Sequence, residues 1–306
     1  MKQLSSIFLL IFVIFSCAKV DKNSIKKNDA ISTIENIKTS DYELFKTNNQ
    51  NGVLILFPCF PCDSKNTLSE FYIIDEANNK GISVVLMNFN QHLYLNENEL
   101  ESLTQTISTL FYTYKLTTQN VFIGGFSSGG NVSLLLSNFL IKNKKNVQPK
   151  GVFIVDSPID LLSLYKVSEK NIKNSESKDA LEESNWIMEE FNSKLGKPSE
   201  TIEKYELLSP YTNQTENINN VLDLKNVKIR FYTEPDLDWW KKNRKNDWED
   251  LNAFQIRNFY EELKNNGFSK IELIETKEKG IRANGTKHPH SWSIVDKTNL
   301  LNWNIN

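Results

Sequence analysis

The chain has 306 residues, 39% of them hydrophobic and 24% charged. That is enough apolar material for a large buried core, and it excludes a disordered tail or a multi-span membrane protein. Its 36 Lys+Arg and 38 Asp+Glu leave a net charge of -2, which gives no electrostatic reason to expect nucleic acid as a partner. The 11 Gly and 8 Pro exclude collagen-like and proline-rich architectures, and 3 Cys are too few for a disulfide scaffold.

Residues 1–16 have the build of an export signal. Lys2 supplies the positive charge, and residues 7–15 form a continuous apolar run. A membrane-spanning helix needs about 20 apolar residues, so this run fits a signal-peptide core instead. Ile14-Phe15-Ser16-Cys17 resembles the lipobox of bacterial lipoproteins. That resemblance implies cleavage after Ser16, acylation of Cys17 and a mature chain anchored in the bacterial cell envelope, facing the periplasm or the exterior. Acyl chains contribute about 0.8 kcal/mol per buried CH₂ to such an anchor. The alternative is an ordinary secreted protein with an incidental Cys. Residues 17–50 are rich in Lys, Asn and Ser and read as a tether. Weak alternation over 31–46 predicts one or two leading strands there.

The remainder, 51–306, alternates apolar strands with amphipathic helices. Strands are predicted at 53–57, 82–87, 121–123, 152–155, 227–232 and 271–274, and helices at 67–79, 97–114, 131–141, 250–264 and 294–303. Continuously apolar strands separated by helices imply a mostly parallel sheet covered on both faces, and right-handed crossovers make it a doubly wound α/β sandwich. Residues 158–225 separate two strands by more than one helix requires, with a helix-favouring run at 180–195. They are expected to form a lid insertion or a decorated crossover.

Gly125-Phe126-Ser127-Ser128-Gly129 matches G-x-S-x-G. It follows a predicted strand and opens a predicted helix, which is the placement a nucleophile elbow requires. Glycine is needed where a β-carbon would meet the tight turn. The helix N-terminus favours negative charge developing on an attacked carbonyl. On these residues the chain resembles the α/β-hydrolase family of serine hydrolases, from about residue 52 to the C-terminus. The resemblance implies a hydrolase acting on carboxylic esters through an acyl-enzyme, with Ser127 as nucleophile.

A serine hydroxyl needs a base, and the chain has only 3 His. In the family the base follows the last strand, often just before a small residue and Trp. That pattern points to His290 of His290-Ser291-Trp292, with His288 as runner-up. The carboxylate that orients the base is expected after the strand 227–232, where the loop Thr233-Glu234-Pro235-Asp236-Leu237-Asp238 resembles the family's turn and points to Asp236. Glu234, Asp238 and Asp156, at the end of the preceding strand, are rivals. The family's oxyanion hole implies backbone N–H donors at Ser128 and Phe60.

Cys59 and Cys62 flank Phe60. In an exported chain they read as a local disulfide, with two reduced buried thiols as the alternative. A redox role is disfavoured by the chain length, and a zinc site with His288 and His290 lacks a further ligand of matching spacing. No cofactor is implied. His92 follows another strand's carboxyl end and is a candidate for substrate contact, as is Trp239 beside Trp240. The partner expected is a small-molecule or polysaccharide-linked ester. The second reading is a non-catalytic lipoprotein that binds lipid or glycan on the same fold.

Overall fold

A computed structural model describes residues 34–89 and 92–305. The signal segment 1–16, Cys17 and the tether up to residue 33 lie outside the described residues. In chain order the elements are β1 (Ile34–Lys38), β2 (Tyr42–Thr47), β3 (Gly52–Phe57), α1 (Ser64–Glu70), α2 (Ile74–Asn79), β4 (Ile82–Met87), α3 (Glu97–Tyr114), β5 (Val121–Phe126), α4 (Ser128–Lys142) and β6 (Gly151–Val155). They continue as α5 (Leu161–Asn174), α6 (Lys178–Lys194), α7 (Pro198–Leu208), β7 (Lys228–Thr233), α8 (Leu237–Arg244), α9 (Asn252–Asn265), β8 (Ile271–Glu275) and α10 (Lys297–Ile305). Among the described residues no helix is long and apolar enough to cross a membrane.

The strands form one sheet in the order β1-β2-β4-β3-β5-β6-β7-β8. β1 and β2 pair antiparallel, β2 meets β4 antiparallel, and every later pairing is parallel. Every residue of β3, β4, β5 and β6 is buried. Such strands have no solvent face, so they read as unbroken apolar runs rather than as alternation. The two-residue period still sorts their side chains. Leu54 and Leu56 pack towards α2, Trp292 and α10, while Val53 and Ile55 pack towards α3 and α4.

Two expected helices differ from the observed ones. The stretch 67–79 breaks into α1 and α2 because the backbone leaves the helical region at Phe71, with φ −140° and ψ 63°, and α2 begins only at Ile74. Near the C-terminus Trp292, Ile294 and Val295 are buried in a short 3₁₀ turn, and α10 begins only at Lys297. By contrast α3 spans Glu97–Tyr114, set at its start by a reciprocal capping box between Asn96 and Glu99.

The segment 158–225 carries α5, α6 and α7. Their apolar faces build a separate cluster from Leu161, Tyr165, Ile187, Phe191 and Tyr205. These helices stand over the carboxyl ends of the central strands, where open α/β sheets hold their ligands.

Candidate active site

Ser127 joins β5 to α4 with φ 56° and ψ −127°, a conformation that L-residues rarely adopt. The strand ladder holds it there, since its N–H donates to Val155 O at 2.9 Å. The flanking glycines are required. A β-carbon at Gly125 would collide with the Gly129 carbonyl, and one at Gly129 with the Phe57 and Pro58 carbonyls. Ser128 is the first residue of α4, so its N–H has no partner within the helix, and no acidic residue occupies that first turn.

The His290 loop follows β8 and crosses back over β7 towards β5. Its Nδ1 lies 2.6 Å from Asp156 Oδ2. Asp156 follows β6 directly, is 4% exposed and has φ 45°. Its other oxygen accepts the Thr233 hydroxyl at 2.7 Å. A neutral His290 that donates Nδ1–H to this carboxylate keeps the Nε2 lone pair free for a proton. The ring is braced by Phe126 at 4.4 Å between centroids. Ser127 and His290 line one cavity of about 280 Å³, with no hydrogen bond between them. In such sites that hydrogen bond often tightens only when substrate is bound.

Asp236, the acid expected from the loop after β7, stands elsewhere. It caps α8 by accepting Trp239 N–H at 3.1 Å, and it pairs with Lys287 at 2.6 Å. Burial pushes its carboxyl up, but Lys287 and the Trp239 N–H outweigh burial and hold it below the usual range. Glu234 is buried and binds the Thr276 hydroxyl and the Lys279 and Gly280 N–H groups, all within 3.0 Å. It fastens the segment that leads to His290. Asp238 is exposed on α8.

His288 is half-buried against Trp239 at 4.4 Å, and its Nδ1 has no hydrogen-bond partner among the described residues. Burial, then the charges of His290, Arg282 and Arg244, push its pKa down to about 2. A base that weak cannot take a serine proton near neutrality. Of the two histidines, only His290 has a carboxylate partner.

Phe60 lines the cavity and stacks on Trp186 of α6 at 3.9 Å. Cys59 and Cys62 are joined in a disulfide around it, and Cys62 N–H donates to Cys59 O at 2.7 Å. The disulfide removes Cys59 and Cys62 from any zinc site. Among the described residues no three His, Cys, Asp or Glu side chains cluster as metal ligands would.

Two expected substrate contacts lie off the cavity. His92 stacks on Phe89 at 4.0 Å and sits 3.6 Å from Glu99, and burial lowers its pKa. It follows β4, which lies on the far side of β3 from β5, whereas the cavity sits over β5 and β6. Trp239 packs on His288, and its neighbour Trp240 faces the cavity instead, because successive helical residues point about 100° apart. Arg282, which the sequence reading passed over, also lines the cavity.

No protein-family model and no curated protein matches the chain. Solved structures are similar over most of its length. FphF, a fluorophosphonate-binding serine hydrolase of Staphylococcus aureus, is 11% identical with TM-score 0.54, over 90% of this chain and 98% of its own. MPT51 (FbpC1) of Mycobacterium tuberculosis is 14% identical with TM-score 0.56, over 89% and 98%. Carboxyl esterase 2 of the mycorrhizal fungus Tuber melanosporum is 15% identical with TM-score 0.53, over 90% and 84%.

The fold is that of the α/β hydrolases. Within it, Asp156 after β6, Thr233 at the end of β7 and His290 after β8 are hydrogen-bonded together, and Ser127 after β5 lines the same cavity as His290. The sequence signal that favours Asp156 over Asp236 is its position directly behind five buried strand residues, where a carboxylate must find a partner.

Proposed function

We propose that the protein is a serine hydrolase that cleaves carboxylic esters through an acyl-enzyme on Ser127. The observation that carries this is the 2.6 Å contact from His290 to the buried Asp156, in the same cavity as a serine on a strained elbow. In this reading His290 Nε2 takes the Ser127 proton as the oxygen attacks the ester carbonyl. Asp156 stabilises the imidazolium that forms. The N–H groups of Ser128 and Phe60 receive the developing oxyanion, and losing one such donor typically costs about 2.7–4 kcal/mol. His290 then protonates the leaving alcohol, and the acyl group stays on Ser127. Water, losing its proton to His290, releases the acid and restores the serine.

The shared fold of the Staphylococcus hydrolase and the Tuber esterase supports this reading. The helices α5 and α6 would then be the cover of the acyl site. We further infer that Cys17 is acylated and holds the enzyme in the envelope of a bacterium, where esters on polysaccharides are within reach; the Cys59–Cys62 disulfide suits an oxidising compartment.

The decisive experiment is fluorophosphonate labelling together with hydrolysis of a short 4-nitrophenyl ester. Both are expected in the native chain and lost in Ser127→Ala. Undiminished labelling of the variant would remove the mechanism. One observation favours the second reading, a non-catalytic binding protein: no hydrogen bond joins Ser127 to His290. That reading expects no labelling of the native chain at all.

A further inference from the structure

Arg282 sits in the turn after β8, and the turn is pinned on both sides of it. Ile281 N–H donates to Ser293 Oγ at 2.7 Å, and Ala283 N–H to Glu70 Oε2 at 3.0 Å. The guanidinium lies over the Phe126 ring, 5.5 Å from its centroid, and His290 leans on the same ring. Arg282, Ser127 and His290 therefore face one cavity.

No carboxylate forms an ion pair with this guanidinium among the described residues. The acids whose charge reaches it are each engaged elsewhere: Glu70 by the Ala283 N–H, Asp156 by His290 and Thr233, Glu183 by Arg244 at 2.7 Å. Arg244 lines the same cavity but already has its acid. A guanidinium drawn partly out of water without a direct ion pair is costly, and burial, which outweighs the attraction of Glu70, Asp156 and Glu183, lowers the Arg282 pKa. A planar anion relieves that cost with two parallel hydrogen bonds.

A second observation comes from α9. Gln255 is 7% exposed, its Oε1 has no hydrogen-bond partner among the described residues, and it lines the same cavity. A greasy alkyl chain would leave both groups unsatisfied, whereas a polar substrate would meet them with an anionic oxygen on Arg282 and a hydroxyl or N–H donor on the Gln255 Oε1.

We propose that the cavity is built for esters that also carry an anionic group, a carboxylate or its isostere, bound by Arg282 beside the reacting serine. This rests on the ester-hydrolase reading for its chemistry, but the anion site is testable without it. The anion belongs either to the acyl half or to the alcohol half of the ester, and matched pairs of substrates separate the two. For the acyl half the pair is 4-nitrophenyl hemiglutarate against 4-nitrophenyl valerate. For the alcohol half it is 4-carboxyphenyl acetate against 4-carbamoylphenyl acetate.

The native chain is expected to prefer the charged member of one pair at least tenfold in kcat/KM. Arg282→Gln should reduce that ratio at least tenfold, and Arg282→Lys, which keeps the charge but not the planar fork, should restore part of it. A ratio unchanged in Arg282→Gln, or no charged preference in either pair, overturns the proposal. Calorimetric titration with glutarate monoamide, which has no ester bond, and with 4-hydroxybenzoate supplies a readout that needs no turnover. Binding of either one that Arg282→Gln abolishes supports the anion site even if Ser127 is never labelled. Absence of binding in a native chain that hydrolyses each neutral ester as well as its charged partner overturns the site while leaving the hydrolase standing.

Discussion

Two loops at the carboxyl edge of the sheet each offer a carboxylate, and they use it in opposite ways. After β6, Asp156 is buried, and its two oxygens are divided between His290 and the Thr233 hydroxyl. After β7, Glu234 and Asp236 both bind the polypeptide that surrounds the site: one secures the segment at 276–280, the other caps α8 and pairs with Lys287. The acid that meets His290 is the one whose oxygens bind side chains rather than backbone N–H groups. A carboxylate that accepts main-chain N–H groups holds a loop, and one whose oxygens meet only side chains orients a side chain. The role follows from what surrounds the group rather than from which strand it follows.

The comparison breaks most sharply at Asp156. Asp156→Asn would present an amide to His290 Nδ1 and favour the wrong tautomer, and kcat should fall on the order of 10⁴-fold. Asp236→Asn should leave kcat within about threefold, because Asn also caps a helix well. Steady-state rates on one short ester suffice, and a larger loss in Asp236→Asn would reverse the assignment. Glu234→Gln comes next. Its amide nitrogen would face N–H donors, and a charged acceptor would be lost from a buried site. That should cost about 1.5–3 kcal/mol, read in a chain of this size as roughly 2–4 °C of Tm per kcal/mol. An unchanged melting temperature would mean that the loop before His290 holds itself.

The strands and the elbow were legible because each obeys a local rule. Gly52–Phe57 and Ile82–Met87 are apolar throughout, and Gly125 to Gly129 sit between a strand and a helix. His290 could be chosen from the short list of histidines. The acid could not be read as easily, because Asp156 and Asp236 both follow parallel strands, and only the path of the His290 loop across β7 decides which one it reaches. In hindsight the stretch at 233–238 carries a helix signal: Asp236 is followed three residues later by the N–H it caps. Arg282 was unreadable for a different reason. A lone arginine in a polar loop normally lies in solvent, and only the stacking over Phe126 and the pinned turn bring this one into the cavity.

The smallest expected effect sharpens the same comparison at Asp236. Its folded-state pKa lies below the ordinary 3.8, chiefly because Lys287 and the Trp239 N–H outweigh burial. A carboxyl depressed in the folded state stabilises the fold above its unfolded pKa, and that contribution is lost as pH falls through the folded value. Lys287 is half exposed, so solvent screens the pair. Asp236→Asn keeps the cap and deletes only the charge. It should lower Tm by about 2 °C or less at neutral pH, and the two melting curves should converge as pH drops below 3.8 or as salt is raised. A gap that persists in molar salt would assign the loss to the cap rather than to Lys287. In either case the rate should be untouched, since this carboxylate serves the start of α8 and not the imidazole.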